Sequence, residues 1–523
     1  MKRMLSIFLV LSMLAFPLLS LAEAGPALET LTTFPIVPEK ITITGVARTS
    51  PQGGDHTDCY GWDQYEEMTN IHIEWEQVST DAMNERKAVL FASGDLPDIL
   101  YCMGVNESDL AKYGGQGMFA NLTPYINEDI MPNFSKILAE NPTLLNGLMM
   151  PDGSIYGLPY INLSMDHRIQ KFYVNTDWIT ALGLDMPTTL DAYTDMLRAF
   201  RDNDMDGDGD ATNEIPLSVR GPSLYQIFYS FFELGNRGTK HATIDWDETN
   251  DTMRFIPATD QYKDMLVYLN MLYSEGLLDN EVYTITSSSH IVPKLTAGIV
   301  GSHSDVTTNA GAVYQDKFVP VPLFSNAYGN KTWTRVGSMI DDRGAFVINA
   351  ESKYIEEMLR WADHFYSEAG QLMYWLGFED ITCEYVDGEW RYTDEIIRNP
   401  EGLTLTQAQR KYLLFQWGPG IIGKYFKGAE HYWTSLEGTP YYEPFTPDVI
   451  WDAFVMTMEE SEQYSALNTD IRSYVDEMSA AFVVGKKSFD EWDAYVAEFD
   501  KLGKDAYMAL YQQLYQRAIG GGK

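Results

Sequence analysis

Between Ile41 and Tyr101 the chain switches repeatedly between two hydrophobic periods. ITITGVA (Ile41–Ala47) and IHIEWEQV (Ile71–Val78) read as strands, and Asp98–Tyr101 begins a third. Helical spacing fills the gaps, around GWDQYEEMTN and over Met83–Ala92, with Ser93-Gly94-Asp95 turning the chain. Alternation every second residue puts one strand face on a core, and a period of about 3.6 does the same for a helix. The order strand, helix, strand, helix, strand calls for parallel βαβ units, so the fold class is α/β. Further on, Pro151–Tyr160 gives a turn and a short extended segment. Thr188–Phe200 reads as a helix with Thr188 and Asp191 in capping-box spacing and Leu190, Tyr193, Leu197 and Phe200 on one face. Past Asn349 the pattern is largely helical, with Ile471, Tyr474, Val475, Met478 and Phe482 forming a core stripe.

The stretch DNDMDGDGDATNEIPL (Asp202–Leu217) follows that helix directly. Counted from Asp204, carboxylates occupy positions 1, 3, 5 and 7 with Gly209 at position 6, the first half of an EF-hand calcium loop. The second half departs, since position 12 is Ile215 and the nearest acid is Glu214. All-oxygen ligation favours Ca²⁺ over zinc or copper, and crowded carboxylates repel one another without a cation. No nucleophile stands nearby, so the expected role is structural. A solvated acidic turn is the alternative.

Asp plus Glu number 75 against 37 Lys plus Arg, a net charge of −38 in 523 residues. That field repels phosphate backbones and anionic lipid, which argues against nucleic acid and membrane surfaces as partners. MKRMLSIFLVLSMLAFPLLSLAEAG carries a basic start, an apolar core and an Ala22-Glu23-Ala24 box, the pattern of a secretory signal peptide cleaved after Ala24. Only Cys59, Cys102 and Cys383 occur, too few for a disulfide framework, though a Cys59–Cys102 bridge stays open.

Searching for chemistry finds no G-x-S-x-G, H-E-x-x-H, P-loop or G-x-G-x-x-G in a supporting context, and the 8 histidines form no ligand pair. Aromatic residues are abundant instead, with 12 Trp, 33 Tyr and 24 Phe. Several sit beside polar residues, at Tyr60-Gly61-Trp62-Asp63, Gln416-Trp417-Gly418-Pro419 and His431-Tyr432-Trp433. Rings beside hydrogen-bonding groups suit sugars, which stack their C–H faces and need partners for their hydroxyls.

On these residues the chain resembles the extracellular solute-binding proteins of carbohydrate ABC transporters, in the subgroup of lipoprotein-type and alginate-binding proteins. The segments that carry the resemblance are Ala92–Leu100, Asp152–Tyr160, Asn175–Phe200, the acidic loop closing on Asn-Glu-Ile-Pro-Leu, and Asp470–Gly503. The resemblance implies a two-lobe periplasmic-binding-protein-like fold with hinge strands and a largely helical C-terminal part. After the signal peptide (1–24) and a leader (25–40), the expected lobes are 41–162 plus 292–350, and 163–291 plus 351–523. The chain would cross between them near Tyr160, Ile291 and Asn349. The resemblance further implies an oligosaccharide ligand, a transmembrane permease as partner, no catalysis, and an extracytoplasmic monomer. Implied calcium ligands are Asp204, Asp206, Asp208, the Asp210 backbone carbonyl, Asn213 and Glu214. Sugar contacts guided by the family are Trp62, Tyr160, Arg220, Tyr225, Asp342, Arg343 and Trp417. The family's lipobox cysteine is missing here, and the strong negative charge favours a neutral sugar over a polyuronate. The competing expectations are a secreted glycosidase or lyase with a structural calcium, and a calcium-dependent surface adhesin.

Overall fold

The computed structural model describes residues 25–49, 58–287, 290–306, 317–403, 405–414, 418–425 and 433–520. Its strands in chain order begin with β1 (Ile41–Thr49), β2 (Ile71–Ser79), β3 (Ile99–Val105) and β4 (Leu158–Asn162). Next come β5 (Lys171–Asn175), β6 (Ile215–Ser218), β7 (Ile244–Asp247), β8 (Thr252–Phe255), β9 (Val300–Asp305) and β10 (Phe318–Pro320). The last are β11 (Ile340–Ile348), β12 (Cys383–Val386), β13 (Glu389–Tyr392) and β14 (Gly420–Ile422). A six-stranded sheet in the order β14-β4-β11-β3-β1-β2 builds the first lobe, and a four-stranded sheet β10-β5-β9-β6 the second. The other four strands form two separate hairpins. β1 runs parallel to both β2 and β3, as the alternating pattern requires.

Both faces of the six-stranded sheet are covered, which is why β3 is buried along almost its whole length. On one face Trp62 from the helix Tyr60–Thr69 stacks on Trp361 from the helix Ile355–Asp363, with ring centroids 5.7 Å apart and planes within 5°. Tyr65, Tyr101, Phe346 and Phe365 complete that cluster. The other face buries Val46, Leu100, Met103, Val105 and Val347 under Leu90 and Phe91 of the helix Met83–Ser93. β11 closes on β3 only because residue 344 is glycine, since a Cβ there would lie 2.1 Å from the Val105 carbonyl oxygen. In the second lobe Phe172, Tyr193, Phe228, Phe324 and Trp333 share one core. The helix Met458–Val483, opened by a Thr457–Glu460 capping box, seats Ile471, Val475 and Phe482 in the same core.

Sheet membership redraws the expected partition. β9 and β10 lie in the second lobe's sheet, and Ile291 packs with Tyr173, Val300 and Phe318 there, so the expected crossing near Ile291 is absent. Residues Met358 to Leu414 pack on the first lobe's sheet, and β14 pairs with β4, so this stretch leaves the second lobe. The physical reason is burial. β9 is buried at every position and lies between β5 and β6, while the aromatic helix around Trp361 packs with Trp62 and Tyr65 on one face of the first lobe's sheet. The chain therefore crosses at 163–170, at 336–339 and after β14. The three cysteines are buried and free, which removes the Cys59–Cys102 bridge. The helix before the acidic loop is capped by Thr189, one residue later than the expected Thr188.

Arg343 ties the crossings together. Its Nε donates to the Gly147 carbonyl, its Nη2 to the Ala453 carbonyl at 2.6 Å, and its Nη1 lies 3.0 Å from Glu107 Oε1. The segment holding Ala453 is fixed to the second lobe by Trp451, whose N–H donates to the Arg237 carbonyl. Glu107 is 34% exposed and water can reach it, so losing Arg343 costs less than breaking a fully buried pair, about 1–3 kcal/mol with the two carbonyl bonds included. Arg343→Met is expected to lower unfolding stability by that order in denaturant titrations. Arg343→Lys should recover little of it, because an ammonium cannot span three acceptors.

Candidate functional site

The acidic loop is shaped by its own backbone. Gly207 and Gly209 take φ of 81° and 94°, which side-chain-bearing residues rarely adopt. Asp204 accepts from the Gly207 and Gly209 N–H groups at 2.7 and 2.9 Å, Asp206 from that of Asp208, and Asp208 from that of Asp210. These turns bring one oxygen from each of Asp204, Asp206 and Asp208 within 4.8 Å of one another, a group that could hold a metal ion. Asp210 turns its carboxylate to the Thr212 N–H and hydroxyl. Asn213 donates to Asp208 Oδ2 at 2.7 Å, and Glu214 Oε1 accepts from the Met205 N–H at 2.6 Å. The remaining oxygens, Asn213 Oδ1 and Glu214 Oε2, are buried without a hydrogen-bond partner. Orphaned buried oxygens next to a carboxylate triad are what a hard cation would satisfy, so the donor set fits a metal.

The second constellation lies where the lobes face each other. β6 and β9 are parallel and both end at the edge where β5 begins. The crossing segments 163–170 and 336–339 leave from that same edge, so it faces the first lobe. Arg220 follows β6 here, half-buried, with Nε buried and lacking a hydrogen-bond partner. Arg335 donates to Gln170 Oε1, Gln226 Oε1 and Ser223 Oγ at 2.8, 2.7 and 3.2 Å. Burial lowers its pKa to about 10 and Arg220 adds to the effect, while Asp305 opposes it. The first lobe presents the ends of β1, β3 and β4, with Arg48 near the end of β1. His167, in the crossing segment, is held below its ordinary pKa by burial against the opposing pull of Asp341.

The sequence-derived sugar contacts scatter over this frame. Arg220 lies at the facing edge, and Tyr225 is near it, its hydroxyl 3.2 Å from that of Tyr283. Tyr160, in contrast, is 1% exposed in the middle of β4 and belongs to the first lobe's core. Trp62 is only 7% exposed and its ring is committed to Trp361, so it is part of the first lobe's core. Arg343 is 3% exposed and serves the joint. Asp342 lies beside Arg343 in a separate cavity of about 490 Å³ between the lobes, with Glu107, Lys240, His241 and Tyr464. Trp417 lies outside the described residues. Arg335, Gln170 and Asp305 escaped the sequence reading, because nothing local marks an arginine held by neutral amides.

Burial pushes Asp342 up to about 6, with Glu107 and Asp341 adding to the rise and the Gly344 N–H and Lys240 opposing it. For a carboxyl raised in this way, the contribution to stability is complete below its ordinary value and is lost as pH climbs through about 6. Asp342→Asn keeps an acceptor for the Gly344 N–H, which Asp342 Oδ1 now meets at 2.9 Å. The variant is expected to be more stable than the parent by roughly 1–2 kcal/mol above pH 7, and the gap should close near pH 4. Unfolding curves across that range check it. For the acidic loop, stripping divalent cations with a chelator should lower the melting temperature, and Asp206→Ala should abolish the difference between stripped and replete protein.

The family described as bacterial extracellular solute-binding protein matches residues 60–372. The fructooligosaccharide ABC transporter substrate-binding protein FusA of Streptococcus pneumoniae is 25% identical over 506 residues, covering 93% of this chain and 92% of FusA. The polygalacturonan/rhamnogalacturonan-binding protein YtcQ of Bacillus subtilis is 21% identical, covering 87% of this chain and 88% of YtcQ. Among solved structures, FusA as an EF-hand mutant with fructo-nystose superposes with a TM-score of 0.76 at 23% identity, covering 92% and 100% of the two chains. The alginate-binding protein AlgQ2 without calcium ion gives 0.75 at 18% identity, covering 92% and 99%.

Proposed function

The chain belongs to the bacterial extracellular solute-binding proteins, and from that premise we propose that it captures an oligosaccharide between its lobes for the permease of an ABC transporter. The observation that carries this reading is the pair of facing strand-end edges, joined by three crossings, with polar side chains of both lobes at the opening. Open α/β sheets place ligands outside the carboxyl ends of their strands, which is where these edges meet. Relatives named for fructooligosaccharide and for polygalacturonan/rhamnogalacturonan binding support a carbohydrate, and they are named as binding proteins.

Arg220, Tyr225 and Trp417 are the sugar contacts retained in this reading, since Tyr160 is buried in the first lobe's core. Trp62 and Arg343 act behind them, as core and as joint. The metal is Ca²⁺, held by Asp204, Asp206, Asp208, Asn213, Glu214 and the Asp210 carbonyl, and when bound it neutralises the carboxylates and fixes the loop. The protein works as a monomer outside the cytoplasm after cleavage near Ala24 and does no chemistry on its ligand. A permease must distinguish loaded from empty protein, so ligand has to favour one lobe arrangement over another. Solution scattering with a bound oligosaccharide is expected to show a smaller radius of gyration at unchanged mass, with the glycan recovered intact. An unaltered curve on saturation would refute closure. Cleavage products would favour the glycosidase or lyase reading.

A further inference from the structure

We infer that the edge carrying Arg220 and Arg335 is a subsite for an anionic sugar unit, one bearing a carboxylate or a sulfate ester. The inference rests on the reading that a glycan binds between the lobes.

In a chain with 75 acidic and 37 basic residues, carboxylate partners are easy to find. Arg198 meets Glu275, Arg254 meets Asp245, Arg343 meets Glu107 and Arg517 meets Glu460, all within 3.0 Å. Among the described residues, neither Arg220 nor Arg335 has a carboxylate within ion-pair distance. Arg335 is instead held by two glutamine carbonyls and a serine hydroxyl, which orient the guanidinium without neutralising it. Arg220 keeps a buried Nε with no partner. The two are close enough for Arg220 to depress the pKa of Arg335, yet at about 10 Arg335 is still a cation at neutral pH. Asp305 is the carboxylate that opposes this repulsion, from beyond ion-pair distance.

Holding two like charges together in a half-buried place is unfavourable for the empty protein. An anion placed between them reverses the sign. Guanidinium forks match planar carboxylates and sulfates with paired donors, and the neutral amides behind them leave their charge unspent for such a ligand. The net charge of −38 does not forbid this. Surface acids more than about 8 Å away are screened at physiological ionic strength, whereas an arginine in contact is not. The neutral ligand expected from the overall charge therefore gives way to a locally cationic site.

The test is calorimetry on the full mature chain with matched glycan pairs. Oligogalacturonides are compared with their carboxyl-reduced forms, sulfated oligosaccharides with their desulfated forms, and kestose serves as a neutral reference. The expected result is that an acidic member binds at least about tenfold tighter than its neutral counterpart, a gap that shrinks with added salt. Arg220→Gln and Arg335→Gln, made separately and checked for folding by circular dichroism, should each collapse that gap. The responding pair identifies carboxylate or sulfate. Binding of neutral glycans with no gain from charge overturns the subsite and leaves the carbohydrate reading standing, as does a gap that persists in both folded variants. If no glycan of either kind binds, the carbohydrate reading falls and the subsite with it.

Discussion

A guanidinium taken out of water must find acceptors for its donors, and Arg343 finds them on three separate segments. Gly147 and Glu107 belong to the first lobe, and Ala453 to a strap anchored on the second. Arg343 itself lies in β11, just past the crossing at 336–339. The joint thus depends on charge and hydrogen bonding more than on a continuous apolar core. Apolar residues segregate into separate clusters, one centred on Trp361 and Phe346, another on Phe172 and Trp333. Two cores meeting at a polar joint can move against each other without exposing either. Burial works against ionisation of Glu107, but the Arg343 guanidinium wins and holds its pKa below the ordinary carboxylate value.

The same residue type does opposite work elsewhere. Arg343 is 3% exposed and its charge is already paired with Glu107, so it is committed to the joint and closed to a ligand. Arg335 is positioned by neutral groups and Arg220 is incompletely satisfied, so their charge stays available. What separates Arg343 from the arginines proposed to bind ligand is the partner set, which belongs to the tertiary structure.

This explains how much the sequence could reveal. β1 to β3 were legible because each hydrophobic period is local, and the parallel pairing followed from the helices between them. The acidic loop was legible because its spacing and glycines lie within one short stretch. The partition into lobes was not, since β9 meets β5 and β11 meets β3 across more than a hundred residues of chain. Trp62 misled for a related reason. A tryptophan between Gly61 and Asp63 looks like a loop aromatic, but helical geometry turns its ring inward onto Trp361 while Asp63 stays exposed. Thr188 and Thr189 are two adequate caps in succession, and the structure uses the second.

The acidic loop and the arginine edge are connected by one short strand. Glu214 closes the loop, β6 runs from Ile215 to Ser218, and Arg220 stands just past its end. Extended chain rises about 3.3 Å per residue, so six residues put roughly 20 Å between the loop and the guanidinium. A cation in the loop cannot touch a sugar at that edge. It can influence where the edge sits, because β6 is only four residues long, with β9 on one side and a single bridge from Leu217 to Leu278 on the other. A four-residue edge strand has few hydrogen bonds of its own to hold its register, so its placement leans on what fixes its ends. At one end that is Glu214, whose carboxylate accepts the Met205 N–H. At the other it is Ser218, whose hydroxyl donates to the buried Asp279 carboxylate at 2.8 Å. In the function proposed here, the loop's carboxylates would act on the ligand site through strand position, a mechanical role that needs no chemistry at the metal.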